Sequence, residues 1–322
     1  MNFVNVDLHC DLLSYFLYPH KGHKEDIGCS LPYLLEGNVG LQVMAIYTST
    51  ENGSVEKACR QADFFVELLE NPPVFKADNF IISDYQPGRV GILAAIENAS
   101  GLCGETEDFS TIYQNYSQIV SKTGKPAYVG FTHHTENRFG GGNATETGLK
   151  EDGKRLLEFL CEMEVPVDFS HTSDALAFDI LNYGEQKNLK FRILASHSNS
   201  RKVYSHNRNL PSELVQEIIK RDGIIGINFI KDFINPENPK AMYHHISHFL
   251  ESGAENHLVY GGDFFFDAAH PDKSRYPFFF DEFKNALAYN TINKWIVLNY
   301  GLNTMNKISH ENALRFLNET QN

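Results

Sequence analysis

Val4-Asn5-Val6-Asp7-Leu8-His9-Cys10-Asp11 opens the chain with alternating apolar and polar side chains, the pattern of a half-buried strand. Side chains two apart on a strand share a face, so His9 and Asp11 converge at its end while Cys10 turns away. An imidazole beside a carboxylate suits a divalent cation of the zinc type. The pair also has plainer uses: the acid can merely orient the histidine, or both can be polar loop residues. Which reading holds depends on the partners that the rest of the chain supplies.

Such partners recur at the ends of other apolar runs. Gly91–Ile96 leads into Glu97, Ala127–Phe131 into Thr132-His133-His134, and Val165–Phe169 into Ser170-His171. Phe191–Ala195 leads into Ser196-His197, Ile224–Ile227 into Asn228, and Leu258–Gly262 into Asp263. With Val4–Leu8 and Val39–Tyr47 there are eight strand-like runs, six of them ending in His, Asp or Glu. Helical stretches alternate with them: Leu31–Glu36, Ser54–Leu69, Phe109–Ser121, Leu149–Glu164, Ser173–Tyr183, Pro211–Arg221 and Met242–Glu251. Ser54–Leu69 carries apolar residues at three- and four-residue steps, and Pro72-Pro73 stops it. This alternation predicts parallel α/β architecture. The count and the spread of polar strand ends favour a TIM-like (β/α)8 barrel, with its site at the C-terminal rim. A doubly wound sheet would gather its site at one crevice. Further helices are predicted over Phe278–Asn290, Asn293–Tyr300 and Ser309–Asn318, the last capped by Ser309. With no linker or internal repeat, residues 1–322 read as one domain.

Composition narrows the function. The 322 residues carry 28 Lys and Arg against 41 Asp and Glu, a net charge of −13, so no nucleic-acid footprint is expected. The five cysteines are scattered and odd in number, which fits a reducing compartment better than a disulfide framework. No apolar run reaches the roughly 18 residues of a membrane span, the start lacks a signal-peptide pattern, and the polar end, Asn318–Asn322, is no lipid-anchor signal. A cytoplasmic protein is expected.

Singly, each strand-end residue has an ordinary explanation as a hydrogen-bonded loop group. In a barrel, however, they share one rim, and burying several acids and imidazoles together is costly unless something positive compensates. Two divalent cations would do so: one on His9 and Asp11, the other on His171 and His197, with Glu97 bridging. Two-metal hydrolases hold their ions roughly 3.5–4 Å apart. A water between the ions would be acidified toward a pKa of about 7, supplying hydroxide.

Nine segments, in order, resemble the membrane (renal) dipeptidase family, peptidase family M19. They are Asp7–Asp11, Gly37–Gln42, Ile96-Glu97, Phe131–His133, Val167–His171, Ser196–Arg201, Arg208–Pro211, Gly261–Phe264 and Glu311–Arg315. The resemblance implies a binuclear zinc dipeptidase on a distorted barrel, often a homodimer. It assigns His9, Asp11 and Glu97 to one zinc and Glu97, His171 and His197 to the other. It places the substrate-polarising histidine at His133, the carboxylate-binding arginine at Arg208 and the acid/base aspartate at Asp263, and it implies tolerance of a C-terminal D-residue. His134 and Arg201 are the local competitors of His133 and Arg208. His206, His244, His245 and His248 read as loop or helix-surface residues. Phe139-Gly140-Gly141-Gly142 reads as a flexible substrate-side loop, lacking the Lys-Ser/Thr of a phosphate cradle. The phenylalanines of 264–266 and 278–280 read as packing.

The chain departs from the family at two places: Asn98-Ala99 replaces the usual Gly-Gly after Glu97, and Phe264-Phe265-Phe266-Asp267 replaces Phe-Asp-Gly after Asp263. Both put substrate preference, not metal binding, in question. The expected activity is hydrolysis of dipeptides. The alternatives are a metal-dependent amidohydrolase acting on another small amide or lactam, and a non-catalytic binding protein on the same barrel.

Overall fold

A computed structural model describes residues 3–19, 22–78 and 80–321; His20 and Lys21, in the polar loop after the first strand, lie outside the described residues, as does Asn322. Its strands are β1 (Asn5–Cys10), β2 (Val39–Tyr47), β3 (Val74–Lys76), β4 (Val90–Glu97), β5 (Val129–Gly130), β6 (Val167–Asp168), β7 (Ile193–Ala195), β8 (Ile224–Ile227) and β9 (Leu258–Tyr260). All pair in parallel. Pairing of β2 with β4, from Leu41↔Gly91 to Tyr47↔Glu97, closes a ring with β1, β9, β8, β7, β6 and β5. Eight strands thus form the barrel. The ninth, β3, is a short addition that pairs with the start of β4, ahead of the point where β5 joins. It follows directly on Pro72-Pro73 and is too short to show a period in sequence.

Every residue of β1, β4 and β8 is buried, which explains apolar runs rather than strict alternation: strands covered on both faces have no solvent side. Inside the barrel, Val6, Leu8, Leu41, Val43, Leu93, Tyr128, Leu194 and Val259 form one cluster. Leu314, Phe316 and Leu317 join it from the terminal helix Asn312–Gln321. Asn312 donates to the Leu258 carbonyl and Asn318 to that of Phe80, so this helix closes the mouth where the strands begin. The larger cluster fills the space between strands and surrounding helices. The strands after β6 crowd closely: a Cβ on Gly226 or Gly261 would stand 1.9 Å from the Ser196 carbonyl oxygen. Glycine is required there by close backbone approach.

The helices Leu31–Glu36 and Ser54–Leu69 fall where the sequence predicts them. The C-terminal region differs. Residues 278–287 hold only a short 3-10 turn at Asp281–Phe283, and a single helix runs over Ala288–Tyr300. Ser309 caps nothing: it lies within a π-helical turn, Lys307–Glu311, that continues into the last helix. Among the described residues, no helix is long and apolar enough to cross a membrane.

Candidate metal centre and active site

The residues singled out from the sequence come together at the C-terminal rim. His9 lies near the end of β1 and Asp11 just beyond it, Glu97 ends β4, and His197 follows β7. His171 and Asp263 follow β6 and β9 in left-handed backbone conformations, φ 67° and 59°. Such conformations cost about 1–3 kcal/mol each and persist only where surroundings over-determine them. Here the Asp263 N–H donates to the His9 carbonyl at 3.1 Å, and the His171 carbonyl accepts from Asn143 N–H at 2.8 Å. Neighbouring rim loops thus hold the two residues in place.

Hydrogen bonding behind the rings fixes which nitrogen faces the centre. Tyr128 donates its one hydroxyl proton to the Leu8 carbonyl, so it accepts from His9 Nδ1–H at 2.8 Å. Ser196 Oγ donates to Asp168, so it accepts from His197 Nδ1–H at 2.6 Å. Asn143 Oδ1 accepts from His171 Nδ1 at 3.2 Å and from His134 Nδ1 at 3.0 Å. Each ring therefore turns an Nε2 lone pair inward. Glu97 meets them with its carboxylate: Oε1 is 3.0 Å from His171 Nε2 and 3.6 Å from His197 Nε2, and Oε2 is 3.3 Å from His9 Nε2. His9 Nε2, His197 Nε2 and Asp11 Oδ1 are buried without any hydrogen-bond partner. Acceptors facing acceptors in a buried site are repulsive unless a cation lies between them. His9, Glu97 and His197 can share one ion, and so can His9, Asp11 and Asp263. The donor set of imidazole nitrogens and carboxylate oxygens fits zinc-type ions, and the partners behind the rings orient them as metal-bound histidines require.

The electrostatics agree. Burial pushes the Glu97 carboxyl up to about 8, against the opposing pull of Arg208. Burial likewise raises Asp263 to about 6, with His9 lowering it and Glu97 raising it, and it lifts Asp11 well above the carboxylate range, helped by Glu97. Burial, together with nearby Arg208, holds His171 and His197 far below their usual range, so neither ring carries a compensating charge.

Arg208 is buried behind His197. Its Nη2 donates to the His197 carbonyl and its Nη1 to Ser198 Oγ, each at 2.8 Å, while its Nε is buried without a partner. Asp263 Oδ2 accepts from Asn228 Nδ2 at 2.7 Å, and its Oδ1 lies 3.7 Å from His9 Nε2. His133 Nε2 is 3.8 Å from Glu97 Oε1. Both His133 and His134 line the cleft above the centre, but His134 Nδ1 is tied to Asn143. Arg201 is engaged elsewhere, paired with Asp174.

The cleft encloses about 560 Å³, ample for a small peptide. Its walls include residues that sequence reasoning did not assign to the site: Tyr47, Ile230, Phe233, Phe265, Phe266, Phe278, His270 and Arg275. Three of these phenylalanines were expected only to pack, and nothing in their spacing distinguishes wall from core. Asp168 is another omission. It ends β6 and accepts from the backbone N–H groups of Ser170 and Ser196 at 3.0 and 2.8 Å, which anchors the support of His197.

Two further expectations are corrected. Phe139–Gly142 is not a flexible substrate-side loop; all four residues are buried, and a Cβ on Gly142 would stand 2.0 Å from the His133 carbonyl oxygen. The stretch leads into Asn143, which orients two of the histidines. His245 is not on a helix surface. It is fully buried, its Nδ1 accepting from Ser200 N–H and its Nε2 bonding the Ile234 carbonyl. The Asn98 departure is explained by geometry. Asn98 adopts φ 70°, a left-handed conformation that asparagine tolerates, and its amide bonds the Thr48 carbonyl, Ser100 and Asn137.

Comparisons with known proteins place this geometry. The dipeptidase aclJ of Aspergillus oryzae is 23% identical over 274 residues, 76% of this chain and 62% of that protein. An uncharacterized dipeptidase of Schizosaccharomyces pombe is 28% identical over 146 residues, 42% of this chain and 34% of that one. The chain thus spans less than two thirds of the length of these curated relatives. A Rhodobacter sphaeroides metallopeptidase, solved with a phosphinate mimic of the dipeptide L-Ala-D-Ala, superposes with TM-score 0.81 at 19% identity, covering 99% of this chain and 100% of that one. At that identity the likeness concerns the fold. The sequence profile of the membrane dipeptidase family matches residues 1–322, and the chain belongs to that family, peptidase family M19.

Proposed function

We propose that this protein is a zinc-dependent dipeptidase with two ions at the barrel rim, held by His9, Asp11 and Glu97 and by Glu97, His171 and His197. The observation that carries this reading is the ring of Nε2 lone pairs, from His9, His171 and His197, converging on one buried carboxylate. When bound, divalent ions of this kind acidify water and polarise a carbonyl.

The chain's own residues supply the rest. Glu97 offers one oxygen toward His9 and the other toward His171 and His197, so it suits a bridging position. His133, on the cleft wall, can donate a hydrogen bond to the oxygen of the scissile carbonyl as charge develops there. Asp263 keeps Oδ1 facing the centre while Asn228 holds Oδ2, which suits taking up a proton and passing it to the leaving amine. The unpartnered Nε of Arg208 favours a role in receiving the substrate's α-carboxylate by a charge-assisted bond. The dipeptide mimic bound by the Rhodobacter sphaeroides protein ends in a D-residue, which supports tolerance of D-residues at the C-terminal position here.

The test is metal analysis of freshly purified protein beside a dipeptide panel containing L,L and L,D pairs. About two zinc equivalents per chain are expected, with hydrolysis lost on chelation and restored by zinc. Hydrolysis that survives complete metal removal contradicts the proposal. Turnover of small amides or lactams with no dipeptide cleaved would transfer the same centre to another amidohydrolase reaction.

A further inference from the structure

The segment after Asp263 forms one wall of the cleft. Among the described residues lining that cleft, Arg275 is the one lysine or arginine. Its Nε donates to Asp232 Oδ2 at 2.7 Å. Its guanidinium carbon lies 5.1 Å from the Phe278 ring centre and 6.0 Å from that of Phe233. Aromatic contacts occupy the faces of a guanidinium and leave its edges for hydrogen bonding. Asp232 takes the Nε edge, and among the described residues the Nη atoms of Arg275 have no hydrogen-bond partner. Those Nη groups retain their donors for a planar anion.

Phe233 also fixes where that anion would be. The Arg208 guanidinium carbon lies 5.5 Å from the same ring centre, so both cations are held against one phenylalanine. For a substrate whose α-carboxylate reaches Arg208, Arg275 is the one lysine or arginine among the described cleft-lining residues left for the side chain of the same, C-terminal residue.

We infer that Arg275 forms a second carboxylate subsite, selecting dipeptides whose C-terminal residue is aspartate or glutamate. The inference rests on the dipeptidase reading above. Charge-assisted hydrogen bonds are worth about 1.5–3 kcal/mol, so an acidic side chain gains about tenfold or more over its neutral amide.

The experiment compares kcat/KM of the zinc-loaded enzyme on Ala-Glu against Ala-Gln, and on Ala-Asp against Ala-Asn. The C-terminal residue is tested in both configurations. Wild type is expected to favour the acid by about tenfold, chiefly through KM. In Arg275→Gln the acid-to-amide ratio falls to about one, and Arg275→Lys retains part of it. Equal rates on acid and amide in the wild type, with Ala-Ala cleaved, overturn the subsite and leave the dipeptidase standing. An equal loss on Ala-Ala and Ala-Glu in Arg275→Gln also overturns it, because Arg275 would then hold the α-carboxylate. Failure to cleave any dipeptide removes the dipeptidase reading and the subsite with it.

Discussion

Glu97 is the residue through which the centre is coupled to the fold. Its carboxylate ends the strand that closes the barrel and faces three imidazole lone pairs. Without a cation, the buried carboxyl, pushed up to about 8, keeps a proton for one facing nitrogen, and above that pH acceptors are buried against one another. Glu97→Gln therefore has two opposed consequences. It removes the bridging charge, so zinc retention and dipeptide hydrolysis are expected to be lost. It also supplies an amide N–H that can donate to one of the facing nitrogens without taking up a proton, so above pH 8, where the metal-free wild-type carboxyl is ionised, the chelated variant is expected to melt at or above the chelated wild type. Thermal scans with and without zinc measure both. Added zinc should raise the wild-type midpoint and leave the variant unmoved. A chelated variant melting well below the chelated wild type would mean that Glu97 supports the fold by some means other than metal binding. The candidate ligands were readable in sequence because strand periodicity aims His9 and Asp11 together and because acids and imidazoles recur at successive strand ends. Tyr128, Ser196, Asp168 and Asn143, which fix the ring orientations, were not. Their roles depend on contacts across loops far apart in sequence, and a tyrosine or serine near a strand end has no distinguishing spacing.

Among the elements, long periodic ones were legible and irregular ones were not. The helix Ser54–Leu69 shows one apolar stripe, and strands such as Val39–Tyr47 are apolar but for Gln42 because both faces are covered. The segment 278–287 misleads because its phenylalanines fall at helical spacing. In the fold the backbone there pairs with another segment: Phe279 bridges to Ile230, and the Phe278 carbonyl accepts from Lys231 N–H at 2.8 Å. Long-range pairing overrides local propensity. The helix Ala241–Glu251 misleads differently, since His244, His245 and His248 look alike in sequence while only His245 is buried without exposure. Burial pushes its pKa down from the usual 6.5 to about 4, with the Ile234 carbonyl opposing the shift. The unfolded chain takes up this proton below pH 6.5 and the folded one only below 4. Stability is thus undiminished above 6.5, falls between 6.5 and 4, and levels off below. The loss is about 2 kcal/mol by pH 5 and about 3 kcal/mol once complete. Urea unfolding at pH 7 and pH 5 should show wild type losing about 2 kcal/mol more than His245→Gln. Equal losses would place the ring in contact with solvent.

At the scale of the whole molecule, stability and chemistry occupy opposite ends of the barrel. The rim after the strands carries buried acids, left-handed histidine and aspartate backbones and an aromatic-walled cleft. Each of these costs folding energy that must be recovered elsewhere. The mouth where the strands begin is closed by the terminal helix, whose Phe316 is fully buried among Val6, Leu8 and Leu194. The face of that ring lies 5.1 Å from the Arg192 guanidinium. Truncating a buried phenylalanine costs about 3–5 kcal/mol, and in a chain of 322 residues each kcal/mol lowers the melting midpoint by roughly 1.5 °C. Phe316→Ala is therefore expected to melt roughly 5–8 °C below wild type. The proposed metal ligands sit at or just beyond the opposite ends of the strands. Below its melting transition the variant should keep wild-type zinc content and an unchanged KM. Zinc lost from a variant still folded by circular dichroism would show that the packed interior transmits strain along the strands to the rim. The two ends of the barrel would then have to be treated as one cooperative unit.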